Sequence, residues 1–199
     1  PYVLGLWLGD GSTYKAEITS ADPEIVKAIN DAGFRTIFRG KYSYGIYSML
    51  PILRAMNLLE NKHIPSEYLR GSILQRLALL QGLADTDGYC DTRGQCEFTT
   101  TKEILATGVL ELLSSLGIKA AISEGRATLY GKDCGPKYRI KYITELPSFR
   151  LKRKADRQKR SGFRGTANRR YITEVISVPS VPVRCIAVDS PSHLYLAGR

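Results

Sequence analysis

The sequence predicts an α+β fold in which one αβαββα unit is written twice, and three observations carry the prediction. First, residues 3–11, VLGLWLGDG, return at 80–88 as LQGLADTDG, so that an apolar residue, Gly, Leu, Asp and Gly recur in register 77 positions apart. A repeat of this kind sets the architecture before any single element does. Second, a stretch of alternating residue types follows each copy, Thr13–Thr19 in one case and Gln95–Thr100 in the other, which is the period of a half-buried strand. Third, a helix pattern comes next in each half. Asp22-Pro23-Glu24 opens one that runs to Ala32, with Asp at the N-cap and Pro at the first helical position. Thr101-Lys102-Glu103 opens the other, which runs to Leu116 and stops at Gly117.

The remainder of each unit keeps the same order. Short strands are predicted at Arg35–Arg39 and Tyr44–Ser48 in the first half, and at Lys119–Ser123, Ala127–Tyr130 and Tyr138–Ile143 in the second. Helical patterns return at Pro51–Leu59 and Ser66–Arg70, and more weakly at Phe149–Lys159. From Tyr171 onward the chain turns β-rich and leaves the repeat. The organisation is therefore a first half over 1–72, a second over 73–160, and a basic linker with a β-rich C-terminal segment over 161–199.

With 199 residues, 43% of them hydrophobic and 24% charged, the chain can bury a core that needs no staples. No apolar run approaches the ~20 residues that cross a bilayer, and no signal peptide opens the chain, so no membrane partner and an intracellular location are expected. The chain opens on Pro1 without an initiator Met, as expected of a fragment or a processed product. Cys90, Cys96, Cys134 and Cys185 form no C-x-x-C pair and have no histidine pair near them, which argues against zinc and for free thiols in a reducing compartment. His63 and His193 stand alone and read as structural. The net charge of +10 points to a polyanion. Ten Lys or Arg against Asp156 alone place +9 of it between Arg150 and Arg170.

The repeated segment poses a chemical question, because each copy ends an apolar helix in a carboxylate, where the helix dipole is negative. Gly5 and Gly9, and likewise Gly82 and Thr86, are spaced one turn apart, so each helix carries a flat face on which two backbones can approach. If the helices pack in parallel through these faces, Asp10 and Asp87 meet at their ends, with Gly11 and Gly88 letting the chain turn out. Two adjacent carboxylates do not both stay ionised unaided; one takes a proton or a cation sits between them. An oxygen-only site suits Mg²⁺, which activates water and clamps a phosphodiester.

These paired segments resemble the motifs of the LAGLIDADG homing endonucleases in their two-motif single-chain form. The first copy departs from the family pattern at Leu8 and Gly9, which are not its acidic ligands. The resemblance covers roughly residues 3–160. It implies a monomer with an internal pseudo-twofold axis, saddle-shaped antiparallel sheets over the major groove of a double-stranded DNA target, and Mg²⁺-dependent cleavage of one strand per half at a long asymmetric site. The metal site is then Asp10, Asp87, Gly9 and Thr86. Asp85, whose counterpart is Leu8, serves the local helix end. The stretch NKHIPSEYL at 61–69 resembles the K-x-I-P segment of intein-borne members, which makes Lys62 an active-site residue that stabilises developing charge or positions water. The stretch FRLKRKADR at 149–157 resembles the F-x-L-x-R-K segment of the same enzymes, which makes Lys154 its counterpart, with Lys141 and Lys152 as rivals.

Alternate strand residues should face the duplex. DNA-contact candidates are Thr13, Lys15, Glu17, Arg35, Arg39, Lys41, Tyr42 and Tyr44 in the first half. In the second they are Arg93, Gln95, Glu97, Arg126, Thr128, Tyr130, Lys137 and Arg139, joined by Arg153, Lys159 and Arg160 from the basic segment. Two such halves would span two turns of duplex, each about 34 Å. The final stretch, PVRCIAVDSPSHLYLAGR, resembles the intein segment that precedes the C-terminal splice junction, with Cys185 where many inteins have Asp. Without a terminal His-Asn the chain is expected not to splice as given. Two other readings are a non-cleaving maturase or regulator, which typically loses an acid or a lysine, and a protein-splicing fragment, supported by the tail.

Overall fold

The computed structural model describes residues 1–158 and 169–195. Its first half runs α1 (Tyr2–Asp10), β1 (Glu17–Thr19), α2 (Pro23–Asp31), β2 (Thr36–Gly40), β3 (Ser43–Ile46), α3 (Met49–Ala55) and α4 (Ser66–Leu69). The second runs α5 (Ile73–Asp87), β4 (Gly88–Cys90), β5 (Cys96–Thr100), α6 (Glu103–Ser115), β6 (Ala120–Leu129), β7 (Lys132–Tyr142) and α7 (Lys152–Ala155).

The duplication is visible in the sheets. One has the order β1-β3-β2 and the other β4-β5-β7-β6, all antiparallel, so β5, β7 and β6 repeat the order of β1, β3 and β2. The extra strand β4 has a vestige in the first half, the single bridge between Gly11 and Ile18, which matches the Gly88–Phe98 pair. Both sheets bury one face. Ile18 and Ile46 in one, and Cys96, Phe98, Ile140 and Tyr142 in the other, join the core with Leu6, Trp7, Leu8, Leu79, Leu80 and Leu83 of α1 and α5. α1 is apolar and buried from Tyr2 to Leu8 and α5 is buried from Leu79 to Asp85, as the facing stretches of a central pair must be.

Local signals explain the boundaries. Ser72 and Gln75 form a reciprocal capping box that starts α5. Asp22 stands at the N-cap of α2 with Pro23 after it, but its carboxylate does not cap; it pairs with Arg153 of α7 at 2.7 Å.

Several expected boundaries shift. The strand expected over Thr13–Thr19 is paired only at Glu17–Thr19, because the run before it bends around α1. The two strands expected between 119 and 130 are one, β6, with a register shift between Arg126 and Thr128. Residues 169–195 form no strand, although the β-rich tail predicted one. Strand-type residues need a partner edge for their backbone groups, and no described residue supplies it.

Candidate nucleic acid cleavage site

The site is built on the seam between α1 and α5. A Cβ added to Gly5 would collide with Leu79 O and lie 3.0 Å from Gly82 Cα, and one added to Gly82 would collide with Tyr2 O and lie 2.9 Å from Gly5 Cα. One turn on, a Cβ on Gly9 would collide with Thr86 Oγ1. The pairs 5 with 82 and 9 with 86 ascend together, so the helices run parallel. Thr86 fits where its counterpart is glycine because its hydroxyl folds back onto its own helix, donating to Leu83 O at 2.9 Å.

Parallel packing brings Asp10 and Asp87 to the same end. A Cβ on Gly9 would lie 3.3 Å from Asp87 Oδ2. Both carboxylates reach solvent, yet protein crowds their other sides. Burial, followed by the facing Asp10, pushes Asp87 up to about 6. Burial raises Asp10 as well, against the pull of Lys154 and Lys62. Gly11 and Gly88 end the helices in extended backbone, φ −75° and −90°, so they are not needed for a left-handed turn. They are needed because a Cβ would strike Trp7 at Cδ1 in one case and Ala84 at Cα, 2.6 Å away, in the other.

Two lysines close the helix ends. Lys62 Nζ donates to Gly9 O at 2.9 Å and to Gly11 O at 2.6 Å, with the Trp7 ring centroid 5.1 Å away. Lys154 Nζ donates to Thr86 O at 2.9 Å and Gly88 O at 2.7 Å, the positions 77 residues on, and also to Ala84 O and Asp85 O. Each cation satisfies carbonyls that the helix leaves unpaired and offsets the negative end of the dipole. Burial lowers Lys62 to about 8 and lowers Lys154 too. The rivals lie elsewhere: Lys152 pairs with Asp156 and Lys141 faces Glu97.

Asp85 does not serve the helix end. It is buried and accepts from Tyr2 Oη at 2.7 Å and from the backbone N–H groups of Arg150 and Leu151 at 3.1 Å.

Strand register sorts the remaining candidates. In the first sheet, Glu17 opposite Gly45 and Ile37 opposite Gly45 share the face away from the core. Lys15, Glu17, Arg39 and Tyr47 line a groove of about 310 Å³ there, and the Arg35 guanidinium lies 4.8 Å over the Tyr47 ring. Tyr44 does not share that face; it opposes buried Ile18 and packs its ring 5.3 Å from Phe38. In the second sheet, Tyr89, Glu97 and Lys141 form one open row, and Thr99, Arg139 and Ser123 another, with Lys137 beside Gly125. Glu97 is held there by Arg139 at 2.9 Å. Lys41 and Tyr42 sit at the β2–β3 turn and Tyr130 at the β6–β7 turn with full exposure. Thr13 lies in the bend before β1, and Thr128 pairs with Asp133 near the β6 tip. Arg126 is engaged by Asp133, Arg93 by Asp91 and Arg153 by Asp22. Gln95 precedes β5, where its N–H bonds the Asp91 carboxylate. Lys159 and Arg160 lie outside the described residues. The open rows add Tyr47, Tyr89 and Thr99 to the sequence-based candidates. Their signal was the period of two counted from Glu17 and Glu97, which needs the register to be usable.

Residues 74–172 match the family described as LAGLIDADG-like domain, and that segment belongs to the family. Over its whole length the chain is 42% identical to a protein named replicative DNA helicase DnaB from Mycobacterium intracellulare, of which it spans one third (33%). Among solved structures it is similar to a mesophilic variant of the homing endonuclease I-DmoI, at 17% identity and TM-score 0.46 over 71% of this chain and 86% of that one. It is also similar to I-DmoI in complex with DNA and Ca, at 15% identity and TM-score 0.47 over 78% and 93%.

Proposed function

We propose that the chain is a site-specific DNA endonuclease of the homing type that hydrolyses one phosphodiester in each strand of a double-stranded target, using Mg²⁺. The observation that supports this best is the duplicated constellation of a carboxylate and a lysine-capped helix end, Asp10 with Lys62 and Asp87 with Lys154, meeting on one seam. A maturase or regulator of the same family would not need both acids and both lysines.

The donor set fits a hard divalent cation. Asp10 and Asp87 contribute oxygens only; burial raises the proton affinity of both, and the facing Asp10 adds to it at Asp87. Asp10 and Asp87 would hold the ion with the carbonyls of Gly9 and Thr86, each of which keeps a lone pair beyond its lysine bond. When bound, Mg²⁺ supplies an activated water and neutralises charge on the phosphodiester. The protein's own share is electrostatic: Lys62 and Lys154 hold the helix ends rigid and place positive charge beside the scissile groups.

The two halves, 1–72 and 73–160, would act as one monomer with an internal dyad, each contributing its open sheet face to the duplex. Lys15, Arg35, Arg39 and Tyr47 on one side, and Tyr89, Lys137, Arg139 and Lys141 on the other, are the side chains placed for groove contacts. The likeness to a DnaB protein supports an inserted intein as the source. The sequence contains no G-x-x-x-x-G-K-[ST] phosphate loop of the kind a helicase motor uses, whereas it contains two LAGLIDADG motifs. The uninterrupted helicase coding sequence is then the natural target, and the activity belongs inside the cell.

The test is a plasmid carrying that uninterrupted sequence, incubated with the protein in Mg²⁺ or in EDTA. The reading predicts linear product in Mg²⁺ alone and none from Asp87→Asn. An intact plasmid under conditions where the protein demonstrably binds the site would overturn it.

A further inference from the structure

The two lysines are seated alike but secured differently. Lys62 is seated with its Nζ over the Trp7 ring, and an apolar Leu8 stands at the position equivalent to Asp85. Lys154 arrives on a segment that must first be docked, and a buried polar cluster docks it. The Asp85 carboxylate receives the N–H groups of Arg150 and Leu151 and the hydroxyl of Tyr2. Gln81 takes the two sides of the same segment, donating to Pro147 O at 2.8 Å and accepting from Arg150 Nε at 2.7 Å. The Arg150 guanidinium then lies 4.1 Å over the Tyr2 ring. Lys154 follows three residues after Leu151, whose carbonyl accepts its N–H at 2.9 Å and starts the turn that carries Nζ to the α5 terminus. Tyr2 belongs to the first half, so the lock spans the seam.

The geometry points to Asp85 and Tyr2 as positioning residues for Lys154, a lock that sets the rate of one active centre and has no counterpart in the other. The departure of the first motif at Leu8 is then functional asymmetry: the half that carries Lys62 needs no such acid. This rests on the reading that the chain cleaves both strands, one per half.

The experiment measures first- and second-strand cleavage separately, with each strand of the uninterrupted helicase sequence end-labelled in Mg²⁺. Lys154→Met identifies the strand served by that lysine. Tyr2→Phe removes one hydroxyl and leaves the apolar core intact; Asp85→Asn turns one of the two oxygens that accept from Tyr2, Arg150 and Leu151 into a donor. Both are expected to slow the Lys154-dependent strand at least tenfold, to leave the other within about threefold, and to accumulate duplex nicked in the other strand alone. Adding Lys154→Met to either variant should slow that strand no further, since residues acting through one group are not additive. Equal slowing of both strands, or an unchanged nicking ratio in Tyr2→Phe and Asp85→Asn alike, overturns the lock. Failure of the unmodified protein to cleave a site it binds counts against the endonuclease reading instead.

Discussion

Lys62 and Lys154 make equivalent contacts 77 residues apart: one ammonium bonds the carbonyls of Gly9 and Gly11, the other those of Thr86 and Gly88. The sequence separations of lysine from acid differ, at 52 and 67 residues, yet the atoms they reach are the same pair in each repeat. The equivalence lies at the helix end, a place defined by unpaired carbonyls and a negative dipole, and two different chain routes deliver a cation to it.

Lys154→Met should therefore cost more stability than Lys62→Met. The first leaves the carbonyls of Asp85, Thr86 and Gly88 short of a buried donor, while Ala84 O keeps the Gly88 N–H, and the second leaves two. Losses of about 3 and about 1.5 kcal/mol are expected from the price of unpaired buried groups. Urea denaturation of the two variants measures the difference.

Asp87→Asn should stabilise the metal-free protein at neutral pH. Because the folded state raises the Asp87 carboxyl from 3.8 to about 6, the native form holds its proton more tightly than the unfolded chain. Stability of the unmodified protein then falls as pH rises through that window, and the variant escapes the fall. Solvent access to the group screens the effect, so a gain on the order of 1 kcal/mol above pH 6, vanishing below pH 4, is expected. Denaturation in EDTA at both ends of the window measures it.

Gly82→Ala should be among the most damaging single changes, because its Cβ would meet Tyr2 O and the Gly5 backbone, which a rotamer change does not clear. A loss of about 3 kcal/mol is expected from overpacking. Gly88→Ala should behave similarly. By contrast Gly33→Ala, at φ +89° with open space around it, carries only the ~1 kcal/mol cost of left-handed backbone. Melting temperatures of the three variants rank them.

Arg39→Ala should weaken DNA binding with little effect on stability. Arg39 lines the open groove beside Lys15 and Tyr47, and no acid pairs with it among the described residues. Loss of one phosphate contact lowers the slope of log affinity against log salt by about 1. Arg126→Ala should change it less, since Asp133 already holds that guanidinium at 2.6 Å.

The repeat was legible because it is written in residues that have few substitutes: Gly5 and Gly82 where backbones touch, Asp10 and Asp87 where helices end. Lys62 and Lys154 were legible through the segments around them, although spacing alone left Lys141 and Lys152 open. What was not legible depends on tertiary register. Tyr44 and Tyr47 are both aromatic and three residues apart, and only the pairing with β1 shows that Tyr44 faces the core and Tyr47 the open groove. Asp85 looked like a second helix-end acid because its partners, Tyr2 and Arg150, are 83 and 65 residues away. The tail from Tyr171 misled for the opposite reason. Its composition is that of strands, but a strand is a property of two segments, and none of the described residues pairs with it.

The pairing of Asp10 with Asp87 as one cation site can be read out directly. The chain's single tryptophan, Trp7, lies in the helix that ends in Asp10, next to Lys62, which makes Tb³⁺ luminescence sensitised by Trp7 a direct reporter that needs no substrate. Sensitised emission is expected to saturate, to be displaced by Mg²⁺, and to be lost in Asp10→Asn/Asp87→Asn. Emission of equal strength and affinity from that double variant would contradict it.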